Sequence, residues 1–168
     1  EEEQEKVSAP SSPCSILLDV LRERCLDCSP AVRTRALSAL QDLITNLNES
    51  SARSMVQAMF DAAMGAKPLN SASDASEQVE GKPSLIDMFR ERCGDEKPGV
   101  RTKALQALGT SLSMSWPKIN FDGLLESTTM LVTEEDLDVI SQHCQDSSLS
   151  VRKQAIQSLT DLLITHPA

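Results

Sequence analysis

Two cysteines three residues apart, Cys25 and Cys28, form the one CxxC of this 168-residue sequence. That spacing suits half of a zinc site or a redox dithiol. Zinc needs four ligands, however, and neither a second CxxC nor a His pair follows, since His143 and His166 are single and distant. Cys25 also recurs as Cys93 and Cys144, neither with a cysteine three residues on. It therefore reads as a small buried apolar residue, and Cys28 as a free surface thiol. Nucleophile motifs such as GxSxG are missing. The glycines 65, 81, 94, 99, 109 and 123 stand apart, so no loop is built to cradle a phosphate. Glu134-Glu135 falls at a helix start, where acidic residues complement the macrodipole, and reads as capping. These residues predict no catalytic residue, no metal, no cofactor, no small-molecule substrate and no enzyme.

The cations are more informative. Arg22, Arg24, Arg33 and Arg35 return as Arg90, Arg92, Arg101 and Lys103, and a third set keeps Arg152 and adds Lys153. Equivalent positions of stacked repeats line one surface, so Arg35, Lys103 and Lys153 are candidate ligand-facing residues for duplex DNA phosphates or an acidic peptide. A solvated polar face is the other reading of the same three. Aromatic interleaving is missing, with three Phe, one Trp and no Tyr, which argues against a base-stacking single-strand site. Ser12 precedes Pro13, and Ser71 has Asp74 three residues on, so both are candidate phosphosites. Ser29 also precedes a proline and reads as a helix cap.

The elements that hold these residues show as an internal repeat. LRERCLDCSPAVRTRALSAL from Leu21 matches FRERCGDEKPGVRTKALQAL from Phe89, at an offset of 68. ISQHCQDSSLSVRKQAIQSL from Ile140 matches a further 51 residues on. Each copy reads as helix, turn, helix. In the first, Leu17, Leu18, Leu21 and Cys25 share a face, the turn is Asp27-Cys28-Ser29-Pro30, and Pro30 opens the second helix. Along that helix Val32, Ala36, Leu37, Leu40, Leu43, Ile44 and Leu47 fill an arc of roughly 140°. Arg33 falls inside the arc, at about 100° from Val32. A cation there needs a carboxylate and backbone carbonyls. Asp27, Asp95 and Asp146 are the expected partners of Arg33, Arg101 and Arg152, within a repeat or across to the next. Arg35 sits at about 300°, outside the arc, and Lys103 aligns with it, so these and Lys153 are expected exposed and free.

One such pair cannot bury its own apolar face, so the pairs must stack, giving an all-α fold: an α-solenoid of antiparallel helix pairs. Leu, Ala, Ser, Gln and Glu dominate and agree with helix. Residues 1–12 read as a disordered acidic arm. A helical repeat with an extra helix (51–64) occupies 13–65, and a flexible acidic, Ser-rich insert 66–84. A second repeat and its connector occupy 85–132, and a third repeat 133–168. Within the connector, 121–132 reads either as a short helix around Leu124 and Leu125 or as packed loop. The net charge is −9, which disfavours indiscriminate nucleic-acid binding without excluding a local basic patch. Five cysteines, an odd number thinly spread, fit a reducing compartment better than a disulfide framework. No apolar run approaches the roughly 20 residues of a membrane span. The start at Glu1, with neither Met nor a signal-like stretch, suggests an internal piece of a longer protein.

Asp, a small turn, Val-Arg and Ala-Leu in each copy resemble a HEAT repeat: Asp27 to Arg33, Asp95 to Arg101 and Asp146 to Arg152. The third copy departs from it, with Leu149 where the others have Pro. More narrowly, Arg-Glu-Arg-Cys ahead of Asp-x-x-Pro-x-Val-Arg resembles the non-SMC D-type HEAT subunits of condensin, those of condensin II most. This resemblance implies a non-catalytic, nuclear, chromosome-associated scaffold that binds a kleisin and SMC-type subunits, and chromatin, in mitotic chromosome condensation. A HEAT scaffold of another assembly, a nuclear transport receptor or a phosphatase regulatory subunit, is the alternative. A metal- or redox-active domain built on the CxxC is a third reading, from a different class.

Overall fold

The computed structural model describes residues 13–50, 83–119, 125–129 and 131–166. The acidic arm, the 51–64 helix, nearly all of the 66–84 insert, and both Ser12 and Ser71 lie outside these described residues. The first pair is α1 (Pro13–Arg24) and α2 (Pro30–Ser50). The second is α3 (Leu85–Cys93) and α4 (Pro98–Ser113). After a hairpin come α5 (Glu134–Gln142), a 3-10 turn (His143–Gln145) and α6 (Leu149–Thr165). The all-α expectation holds, with the hairpin as the addition.

Each first helix packs on its own second helix, and α4 lies between α2 and α6. Leu37, Leu40 and Ile44 of α2, Leu105, Leu108 and Leu112 of α4, and Val151 and Ala155 of α6 share one core, with Phe89 and Ile140 from the first helices. Burying each of the larger side chains is worth about 1.5–3 kcal/mol. Val32 and Leu43, expected in the stripe, are half-buried, and the side chain of Leu47 lies outside the described residues.

Ser84 is not part of a loose insert: its hydroxyl accepts from the Asp87 N–H at 3.0 Å, and the Asp87 carboxylate takes the Ser84 N–H at 3.2 Å. This reciprocal box starts α3. Thr133 and Asp136 start α5 in the same way, so the third residue of that helix does the capping assigned to Glu134-Glu135. The connector is likewise corrected. β1 (Ser115–Ile119) pairs antiparallel with β2 (Leu125–Thr129), Ser115 opposite Thr129 and Ile119 opposite Leu125. Leu125 therefore starts a strand, neither helix nor loop. Thr128 and Thr129 are β-branched, which favours extended backbone. Pro117 is tolerated because a two-stranded sheet has only edge strands.

At Gly109 the helices α4 and α6 pack closely. A Cβ there would lie 2.5 Å from Ser158 Oγ and 2.8 Å from Ser158 Cβ. Ser158 is buried and donates to the Leu105 carbonyl of α4 at 3.2 Å.

Candidate functional site

The three turns between paired helices are built alike. Each aspartate folds back on its own turn: Asp27 Oδ1 accepts the Ser29 N–H at 2.8 Å, Asp95 the Lys97 N–H at 2.9 Å and Asp146 the Ser148 N–H at 2.8 Å. The residue ahead of the helix contributes less. Lys97 and Ser148 stand there with no side-chain cap bond.

The arginine six residues on ties each turn to the next pair. Arg33 donates Nη1 to the carbonyls of Asp27 (2.8 Å) and Cys28 (3.1 Å) in its own turn. Its other edge meets Asp95 of the second pair, Nη2 at 3.0 Å and Nε at 2.8 Å. Arg101 repeats the arrangement. Nη1 reaches the carbonyls of Asp95 (2.9 Å) and Glu96 (3.2 Å), while Nε and Nη2 grip Asp146 at 2.8 and 2.7 Å. Arg152 holds the carbonyls of Asp146 (2.7 Å) and Ser147 (3.2 Å). Among the described residues no carboxylate closes on it. Arg33 and Arg101 thus each meet the aspartate of the next repeat, Asp95 and Asp146, while Asp27 and Arg152 join no such forward pair among the described residues.

Electrostatics follow from this forked pairing. The Arg101 hydrogen bond holds the Asp146 carboxyl well below the usual carboxylate range, against the opposing effect of burial. At Asp95 burial pushes upward, and the Arg33 fork with the Lys97 N–H outweighs it, leaving a lowered value. Asp27 is lowered chiefly by the Ser29 N–H. Arg33 and Arg101 are raised, each by its bond to the next aspartate.

A second tie, not foreseen from the sequence, joins the first helices. Arg90 of α3 donates Nε to Asp136 Oδ1 at 2.8 Å, with Nη2 2.7 Å from the same oxygen. Asp136 is fully buried, and its other oxygen takes the Thr133 hydroxyl at 2.7 Å and N–H at 2.9 Å. The Thr133-x-x-Asp136 spacing was the available signal. Arg90 is therefore committed to the fold and leaves the set of free cations.

The candidate ligand-facing residues divide. Arg35 of α2 and Lys103 of α4 line one open groove of about 590 Å³, together with Lys97, Thr34, Gly99 and the edge of Val100. Arg35 is exposed, as expected. Lys103 is not free: it is half-buried, and its Nζ donates to Gln106 Oε1 at 2.9 Å, one turn along the same helix. Lys153 is exposed on α6 and does not line this groove. Lys97, which the sequence reading passed over, joins the groove because it precedes α4 where Ser29 precedes α2.

The CxxC does not form one surface site. Cys25 is fully buried, and burial pushes its thiol up to about 12, whereas Cys28 is exposed in the turn. Cys93, in the position of Cys25, is buried and also pushed up to about 12. Among the described residues no helix is long and apolar enough to cross a membrane.

No family model matches the chain. Among known proteins it is 29% identical over 187 aligned residues, covering 90% of this chain, to a condensin-2 complex subunit D3-L of Xenopus laevis. It is 30% identical over 145 residues, 86% of this chain, to condensin-2 complex subunit CAP-D3 of Arabidopsis thaliana. It is 30% identical over 172 residues, 89% of this chain, to condensin-2 complex subunit D3 of Mus musculus. The chain spans 12%, 9% and 11% of those relatives. A chain with three matched helix pairs joined by forward Arg–Asp ties is thus similar, over most of its length, to a segment of condensin-2 D3 subunits.

Proposed function

We propose that this chain is a stretch of a HEAT-repeat α-solenoid in a condensin regulatory subunit of the D3 type. It works by holding partners, not by turning over a substrate. The observation that carries this reading is similarity across about nine-tenths of the chain to D3 subunits of a frog and a mouse. The forward Arg–Asp ties support it, because they make successive helix pairs into one rigid frame. The partners are then a kleisin chain and SMC-type subunits, and the setting is chromosomes in the nucleus. Co-purification of the full-length protein from mitotic cells tests this. Recovery of kleisin and SMC subunits is expected, and recovery of transport or phosphatase subunits in their place overturns it.

Within this reading the groove with Arg35, Lys97 and Lys103 receives the phosphates of duplex DNA. Three cations line it on a chain whose net charge is −9, so the attraction is local, with Lys97 also 3.7 Å from Glu96. Lys153 extends the same series at the far end of the stack. DNA binding is expected to weaken steeply with salt, with a slope of about −0.9 per phosphate contact. Arg35→Glu with Lys97→Glu, both exposed side chains of the groove, should flatten that slope and leave the melting temperature nearly unchanged. Equal binding by this variant at low salt refutes the groove as the DNA contact.

A further inference from the structure

The junction of α4 with α6 repeats that of α2 with α4, but with other chemistry at the groove positions. The offset of 51 carries Lys97, Gly99 and Lys103 onto Ser148, Ser150 and Gln154. The offset of 68 carries Thr34 and Arg35 onto Thr102 and Lys103. Of the three cations one is left, Lys103, and hydroxyls gather beside it. Ser150 Oγ lies 2.9 Å from Ser148 Oγ and, across the junction, 3.3 Å from Thr102 Oγ1 of α4. Lys103, the residue after Thr102, lines the groove on the other side of α4.

Ser150 differs from the hydroxyls around it. Those of Thr34 and Thr102 donate at 2.8 Å to the carbonyls of Pro30 and Pro98, and that of Ser158 is buried on the Leu105 carbonyl. Ser150 is exposed and meets other hydroxyls, so an ester can form there without breaking a tie of the fold. The counterparts Ala31 and Gly99 carry no hydroxyl. Ser147 and Leu149 beside it are exposed too, so the approach is open. Lys153, also exposed, stands three residues on and offers a charge of the kind by which kinases select substrates.

We propose that Ser150 is a phosphorylation site and that its phosphate weakens the hold of the neighbouring groove on DNA. The site stands by itself, and the effect on DNA rests on the proposed DNA contact. Ser150 Oγ attacks the terminal phosphorus of a nucleoside triphosphate held by a protein kinase. An Oγ–P bond forms, the bond to the departing nucleoside diphosphate breaks, and the hydroxyl proton passes to a carboxylate of the kinase. The ester carries a charge of about −1.5 to −2 at neutral pH. Placed against Thr102, it draws the Lys103 ammonium away from Gln106 and out of the groove. It also repels DNA phosphates within about 8–10 Å.

Incubation of the full chain with ATP, magnesium and an extract of dividing cells, followed by mass mapping of the phosphopeptides, tests the site. Phosphate on Ser150 is expected, and a chain that leaves the extract with Ser150 unmodified overturns the proposal. Titration of the treated chain with duplex DNA at low salt tests the effect, with Ser150→Ala treated alike as the control. Affinity should fall about fivefold or more in the parent and hold in Ser150→Ala. An equal fall in both, or none in the parent, overturns the effect on DNA. So does a lowered melting temperature of the phosphorylated chain, since unfolding then accounts for the loss. Arg35→Glu with Lys97→Glu tells the two readings apart. If this variant binds DNA as the parent does, the DNA contact fails and the effect falls with it, while the mapped phosphate still decides the site.

Discussion

Replacing Arg101 with alanine is the most direct way to weigh the tie between the second and third helix pairs. The side chain is 13% exposed and that of Asp146 8%. Arg101→Ala removes two charge-assisted bonds to Asp146 and two bonds to the carbonyls of Asp95 and Glu96. The carboxylate left behind keeps the Ser148 N–H and the nearby His143 ring. The cost of orphaning a buried charge is about 3–5 kcal/mol. Residual hydration and the Ser148 bond put this case near the lower limit, about 3 kcal/mol. Arg101→Lys keeps the charge but loses the fork, so it should recover less than half of that. Arg101→Ala combined with Asp146→Ala should cost less than the sum of the two, because neither then strands the other. Urea unfolding of the four proteins reads the cycle, provided the m-values agree. Acid adds a second reading. The folded-state pKa of Asp146 is depressed, so its pairing contributes stability above the unfolded carboxylate value of about 3.9 and loses it as pH falls further. Stability of the parent should thus fall more steeply below about pH 4 than that of Arg101→Ala. A loss under about 0.5 kcal/mol, as for an exposed pair, or strict additivity in the cycle, would refute the reasoning.

Gly109→Ala should destabilise by about 1–3 kcal/mol in thermal or urea melts, since its Cβ would strike Ser158 of α6. Gly99→Ala, with nothing within 4 Å, is the control and should be neutral or stabilising by up to about 1 kcal/mol. Among the described cysteines, Cys28 should react with a thiol reagent in the native state, while Cys25 and Cys93, buried and pushed up to about 12, wait for unfolding. Mass mapping of the labelled peptides decides this, and equal rates at Cys25 and Cys28 count against it.

The repeat made the main lines of this fold legible before any coordinates. A fixed offset carries Asp27, Arg33, Ala36 and Leu37 onto later copies, and the wheel places Arg33 among apolar neighbours, where only a paired cation can stand. The direction of pairing was not legible, because spacing within one repeat says nothing about which neighbour lies across from it. Arg90 was missed since its partner Asp136 sits in a capping box that the adjacent Glu134-Glu135 masks. Lys103 read as free because its bond to Gln106 is local and leaves no periodic mark. The Gly109 contact depends on how near two helices approach, which no single-helix pattern records. The hairpin lost out to a leucine pair in a segment too short for periodicity to arbitrate.

The linked charges also bear on the groove. Arg33, Asp95, Arg101, Asp146 and Arg152 run as one string of short polar contacts along the turns. Arg35 lies about 160° around α2 from Arg33, on the side where the groove opens. The groove is lined by Pro30, Ala31, Lys97 and Gly99, which lie in or beside those same turns, as well as by Arg35 and Lys103. The charge string and the groove therefore share one stretch of backbone, and a change that loosens the Arg33–Asp95 tie should also shift the cations that line the groove.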